Sequence, residues 1–206
     1  PYQARLMYDA MTYLSNACCK IGIAIDGGKD SLSMVSKHKD IEIKAPGSLV
    51  LTGYADVPNI YMKTTPDLKP AFNASTIILI QNIATENASI DDMITNTKYI
   101  FQSIQGLITS GMRILAGHDC SDGGLLSCIL EMAFAGNTGV CISIPHYIKE
   151  SEANMYMIRE ISGVVIQVLN KDLQTVIPHL NKLKEHTTSN CSIQIDPIAI
   201  PLWYDK

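Results

Sequence analysis

At 206 residues, with 47% hydrophobic and 17% charged composition, the chain is long enough to bury one large core or two small ones. A formal net charge of -4, no long basic run and a single Trp exclude a surface built to follow a nucleic-acid backbone or to sit on an anionic membrane. No apolar run reaches the roughly 18 residues that a membrane span needs.

Apolar residues at Met7, Met11, Leu14, Cys18 and Ile21 predict a helix over residues 4–20, and 21–25 then reads as a strand. That strand delivers two adjacent glycines, Gly27 and Gly28, followed at once by Lys29, Asp30, Ser31 and Ser33. Glycine permits positive φ or close approach to a ligand, successive N–H groups can cradle an anion, and Lys29 adds positive charge. The stretch is a candidate phosphate site, or else a polar turn after a buried strand. It is not a P-loop, which would need Gly at Ile23 and Ser or Thr at Asp30.

Residues 36–44 read as a polar connection, 48–57 as a strand, Pro58-Asn59 as a turn and 60–64 as a second short strand. Thr65-Pro-Asp-Leu-Lys-Pro70 carries two prolines among charged residues and reads as the linker between domains. The expected division is 1–66, a linker at 67–70, and 71–206. With no partner for its first strand, the opening segment reads as part of a larger domain.

Beyond the linker strands and helices alternate. Strands are expected at 76–81, 113–116, 140–144, 164–169 and 191–195, and helices at 91–110, 125–135, 150–161 and 171–186. Gly136-Asn137 stops the second helix, and Pro178 kinks the fourth or marks its first turn. This order predicts an α/β sandwich of helices on a sheet.

The cluster Gly117-His-Asp-Cys-Ser-Asp-Gly-Gly124 lies between a short strand and a well-patterned helix, whose amino end favours anions. Asp119 and Asp122 can each offer an oxygen to Mg²⁺; alternatively Asp122 or Ser121 caps the helix and Asp119 satisfies turn N–H groups. An EF-hand is excluded by Gly123 and Leu130 at ligand positions. His118 reads as an orienting partner of the acidic turn, with general-base catalysis the minor alternative; His38, His146, His179 and His186 read as surface residues. Six cysteines without a C-x-x-C pair predict reduced thiols and a cytosolic chain. Asn73, Asn87 and Asn190 open glycosylation triplets of the kind that arise by chance.

Five blocks, Asp26-Gly-Gly-Lys-Asp-Ser-Leu-Ser-Met34, Ala45-Pro-Gly-Ser-Leu-Val50, Thr65-Pro-Asp-Leu68, His118-Asp-Cys-Ser-Asp-Gly-Gly-Leu125 and Glu131-Met-Ala-Phe-Ala-Gly-Asn137, together resemble the large single-chain phosphoribosylformylglycinamidine synthases. The resemblance implies an AIR-synthetase-like fold, with the end of an N-terminal domain followed by a C-terminal α/β domain. It also implies an ATP-dependent amidotransferase of purine biosynthesis that converts formylglycinamide ribonucleotide (FGAR) and glutamine to the amidine (FGAM) through an iminophosphate. Partners would be FGAR, ATP and the remainder of the same polypeptide, namely a first AIR-synthetase-like half and a glutaminase domain; location would be the cytoplasm.

By the same resemblance, Gly27, Gly28 and Lys29 would meet ATP phosphates and Ser31 would meet FGAR. Asp119 would be a Mg²⁺ ligand and Ser121 a nucleotide contact in an auxiliary site that holds ADP. No catalytic residue is assigned within the chain. A non-catalytic Mg-ADP module, or another ATP-dependent enzyme of the superfamily such as aminoimidazole ribonucleotide synthetase or selenophosphate synthetase, is the competing expectation.

Overall fold

The computed structural model describes residues 2–29, 34–70, 74–186 and 190–202. The chain divides into two compact units, Pro1–Pro58 and Asn59–Lys206. The division falls upstream of the expected linker at 67–70 because that segment is anchored in the second unit. Leu68 is buried and its N–H donates to the Met132 carbonyl. The Gln167 side chain accepts from the Lys69 N–H at 2.8 Å and donates to the Lys69 carbonyl at 2.9 Å. A side-chain amide thereby completes the backbone bonds of a segment that has left the sheet.

In the first unit, helix α1 (Tyr2–Ile21) turns Met7, Leu14, Cys18 and Ile21 of its expected stripe to its less exposed side, whereas Met11 is exposed. The strand expected at 21–25 does not form. Gly22 takes φ +91° and the N–H groups of Gly22 and Ile23 both donate to the Cys18 carbonyl, so these residues close the helix instead. The stretch expected to be polar connection is a hairpin, β1 (Val35–His38) against β2 (Ile41–Lys44), turned at Lys39 with φ +52°. Residues 48–57 have no strand partner among the described residues and remain irregular, with Val50 and Tyr54 exposed. The expected strand at 60–64 is a single 3-10 turn, Ile60–Met62, capped by the Asn59 side chain.

The second unit is built on one five-stranded sheet, with strands β3 (Ser75–Ala84), β4 (Ala116–Cys120), β5 (Gly139–Ile142), β6 (Gly163–Leu169) and β7 (Cys191–Leu202) in the order β4-β6-β3-β7-β5. Every neighbouring pair is antiparallel. The helices α2 (Ile90–Thr109) and α3 (Gly124–Gly136) each join strands that run parallel but are not adjacent, with β6 and β7 threaded between them. Central strand β3 is apolar on both faces: Ile77 and Leu79 meet α3 and α4 (Ala153–Ile158), while Ile78 and Ile80 meet α2 and α5 (Leu173–Asn181). The unit is thus the expected α/β sandwich.

Helix boundaries follow local chemistry. Ser89 and Asp92 form a reciprocal capping box at the start of α2. Asn137 stops α3 in the left-handed conformation. The helix expected at 150–161 is reduced to a 3-10 turn followed by the six residues of α4, and that at 171–186 is α5 flanked by 3-10 turns, with Pro178 inside it. His179 is half-buried, with its ring nitrogen 3.1 Å from the Ser103 carbonyl, and is not the surface residue expected; His186 stacks on Tyr99.

Candidate functional site

Strand β4 is the edge of the sheet and occupies 116–120, so the expected strand at 113–116 gives way to one that includes the first half of the polar cluster. Alternation then decides where each side chain goes. Ala116 and Cys120 face the core under α3, whereas Asp119 points outward with its side chain 70% exposed. His118 is held between two carboxylates: Nε2 is 3.3 Å from Glu131 Oε2, Nδ1 is 3.3 Å from Asp119 Oδ1, and Nδ1 also lies 2.8 Å from the Asp119 carbonyl oxygen. Both ring nitrogens are engaged, which suits an orienting role.

The turn into α3 depends on two glycines with positive φ, Gly123 at +78° and Gly124 at +71°. The Gly124 N–H donates to the Ser121 carbonyl at 3.0 Å. A Cβ on Gly124 would stand 2.5 Å from the Arg159 carbonyl oxygen, so only glycine fits where the end of α4 abuts the turn. Neither Ser121 nor Asp122 caps α3; its N-cap is Gly123 and no side chain bonds there. The capping alternative therefore fails, and the Ser121 and Asp122 side chains remain exposed beside a helix amino end without a side-chain acceptor.

A cavity of about 150 Å³ is lined by Asp119 and Cys120 together with Thr97, Ile100, Phe101, Ser162, Gly163 and Val164. Thr97 and Ser162 hydroxyls are 2.8 Å apart at its edge. On the core side, the Cys128 thiol is pushed far up by its hydrogen bond with Cys120 and by burial, which keeps it neutral. Among the described residues no group of three or more His, Cys, Asp or Glu is placed to hold a metal ion. A single outward carboxylate fits Mg²⁺ that takes its other ligands from phosphate and water, and does not fit an all-protein cage.

Gly27, Gly28 and Lys29 lie on an exposed, irregular segment of the first unit. Neither glycine takes positive φ, which leaves close approach to a ligand as the use open to them, and among the described residues a Cβ on either would meet nothing within 4 Å. Ser31 lies outside the described residues. The two clusters therefore belong to different units.

Sequence reasoning passed over a polar group beneath α4. Gln81 is fully buried and its Nε2 donates to the Tyr156 hydroxyl at 3.4 Å, while the Tyr147 hydroxyl donates to Asp196 Oδ2 at 2.5 Å. Burial, together with the Asp196 carboxylate nearby, raises the pKa of both phenols. Nothing in the local pattern marks these residues, since their meeting depends on strand pairing and helix packing.

Residues 75–189 match the family described as AIR synthase related protein, C-terminal domain. Residues 1–56 match the FGAR-AT PurM_N-like domain. The chain is 37% identical over 195 residues to the probable phosphoribosylformylglycinamidine synthase, chloroplastic/mitochondrial, of Arabidopsis thaliana, a match covering 84% of this chain and 13% of that protein. It is 32% identical over 194 residues to the phosphoribosylformylglycinamidine synthase of Homo sapiens, covering 86% and 14%. The chain thus spans 13% to 14% of the length of these relatives. Among solved structures, T. maritima PurL complexed with ATP superposes with TM-score 0.53 at 15% identity over 69% of this chain and 24% of that one. T. maritima PurL complexed with FGAR gives TM-score 0.51 at 15% identity, over 69% and 26%. At that identity the structural likeness carries the fold alone.

Proposed function

Because this chain belongs to the AIR synthase related family, its residues 75–189 forming that family's C-terminal domain, we propose that it acts within a phosphoribosylformylglycinamidine synthase. The observation that carries this reading is the pairing, in one chain and in this order, of the two family matches with relatives of that name over 84% to 86% of its length. The reaction is the ATP-dependent conversion of FGAR to FGAM. ATP phosphorylates the amide oxygen of FGAR, and ammonia then displaces phosphate. Such chemistry depends mainly on positioning and on stabilising charge at the transferring phosphoryl group.

In this reading the N–H groups at Gly27 and Gly28 and the Lys29 ammonium meet ATP phosphates, and Ser31 holds FGAR. Their exposure in this chain suits a site whose other wall comes from elsewhere in the polypeptide, a first AIR-synthetase-like half, with ammonia from a glutaminase domain. Ser121, with the α3 amino end, holds a second nucleotide as ADP, and Asp119 gives one oxygen to its Mg²⁺. That ion would supply positive charge to the phosphates. The exposed Asp119 carboxylate beside a helix amino end without a side-chain acceptor supports this role. Among the described residues no helix is long and apolar enough to cross a membrane, and the proposed location is the cytoplasm.

The test is FGAM formation from FGAR, ATP and ammonium chloride by the full-length protein, with ammonium bypassing any glutaminase. Activity is expected, and Ser31→Ala is expected to lower kcat/KM for FGAR by about tenfold, the worth of one hydrogen bond to a substrate group. No FGAM from the full-length protein would overturn the synthase reading; unchanged kcat/KM would remove Ser31 from the site.

A further inference from the structure

We propose that Arg159 adds a full positive charge, beside that which Mg²⁺ on Asp119 would bring, for a nucleoside diphosphate held at the 121–124 turn. The inference rests on the nucleotide role given above to Ser121 and adds a residue that none of the motifs includes. The turn presents an electrostatic problem: Asp119 and Asp122 are both exposed beside Ser121, and a diphosphate there is repelled by two carboxylates. The amino end of α3 offers only a partial compensating charge, and one Mg²⁺ on Asp119 would still leave the Asp122 carboxylate and part of the diphosphate charge unbalanced.

Arg159 adjoins this turn by direct packing. Its carbonyl oxygen stands 2.5 Å, and the Ile158 carbonyl carbon 2.7 Å, from where a Cβ on Gly124 would be. Its exposed guanidinium makes no hydrogen bond or carboxylate ion pair among the described residues and lies 5.9 Å from the centroid of the Tyr156 ring. By contrast Arg5 pairs with Asp9. The Tyr156 ring is a fixed platform, only 6% exposed, with its hydroxyl bonded to the fully buried Gln81. A cation–π contact with such a ring restrains the guanidinium beforehand, so less freedom is lost when it grips a phosphate with two parallel N–H bonds. Lysine could not bind a phosphate in that two-pronged way.

The test uses the full-length protein and ADP as probe, by calorimetry at low salt, with Mg²⁺ and again with EDTA. The component followed is the ADP binding that Ser121→Ala weakens. Arg159→Ala is expected to weaken it by tenfold or more, the usual worth of a hydrogen bond to a charged group. Adenosine binding and the melting temperature of the ligand-free protein should not change, and Arg159→Lys should restore only part of the loss. Tyr156→Leu should weaken ADP in the same direction, whereas Tyr156→Phe, which keeps the ring, should not. Arg113→Ala, an exposed arginine of the same unit, is the control. If Arg159→Ala binds ADP as tightly as the parent protein, the role of Arg159 is overturned while the site stands. If no ADP binding responds to Ser121→Ala, the site itself falls.

Discussion

Gln167 and Gln81 are both fully buried on strands that pair in the sheet, yet only Gln167 has every polar atom engaged. Among the described residues Gln81 Oε1 finds no partner, and its Nε2 makes one long bond. The two should therefore respond unequally to the same change. Gln167→Leu strands the Lys69 N–H and carbonyl and should cost about 2–4 kcal/mol in urea unfolding, whereas Gln81→Leu removes an orphaned acceptor and should change stability by less than about 1 kcal/mol. Equal losses would show that Gln167 does not hold the 67–70 segment.

Tyr156 gives the same scale a pH signature. Burial raises its folded-state pKa above the unfolded value, so its contribution is fully present below the ordinary tyrosine value of about 10 and is lost as pH rises from there through the raised folded-state value. Tyr147, raised by burial and by its bond to Asp196, acts in the same sense. The urea midpoint should fall as pH rises above about 10, and Tyr156→Phe should flatten that fall. An unchanged slope would mean that the phenol is solvated in the folded protein.

At the scale of elements, glycines show how closely α3 is docked. A Cβ on Gly136 would sit 2.5 Å from the Leu68 carbonyl oxygen and 2.7 Å from its nitrogen, both backbone atoms that cannot swing away. Gly136→Ala should destabilise by at least about 1–3 kcal/mol. Gly106, within α2, has only the His179 ring at 3.6 Å from the same construction, an ordinary contact. There Ala should stabilise by about 0.5–1 kcal/mol, since it relieves the entropy cost of glycine in a helix. Thermal melts of both variants give opposite signs if helix α3, and not α2, lies backbone to backbone against its neighbour. The stop at Gly136-Asn137 was legible from the residues alone; the contact with Leu68 was not, because the two are far apart in sequence.

For the whole molecule, the two units differ in what they bury. No described residue before Leu68 is buried, and Ile23, Ile25, Val50, Leu51 and Tyr54 of the first unit are all more than half exposed. Without a core to offset chain entropy, residues 1–58 by themselves should show a poorly dispersed amide spectrum, while 59–206 should give a dispersed one and melt cooperatively. A dispersed spectrum from 1–58 would refute this. Much of the architecture was readable beforehand. The stripe at Met7, Met11, Leu14, Cys18 and Ile21 marked α1, the alternation of elements marked a sandwich, and the Gly27-Gly28-Lys29 and Asp119 to Gly124 clusters, set among the other motif blocks, marked the family. Side chains three and four apart share a helix face wherever the helix lies, so periodicity survives without knowledge of the fold. The tertiary structure alone decided that β6 and β7 thread between parallel strands, that 21–25 closes a helix, and that 67–70 is pinned by Gln167. It also set Arg159 against the glycine turn. A strand exists only where a partner accepts its backbone bonds, and a buried amide or a glycine contact only where distant segments meet. Those meetings are non-local, and no window of sequence contains both sides of them.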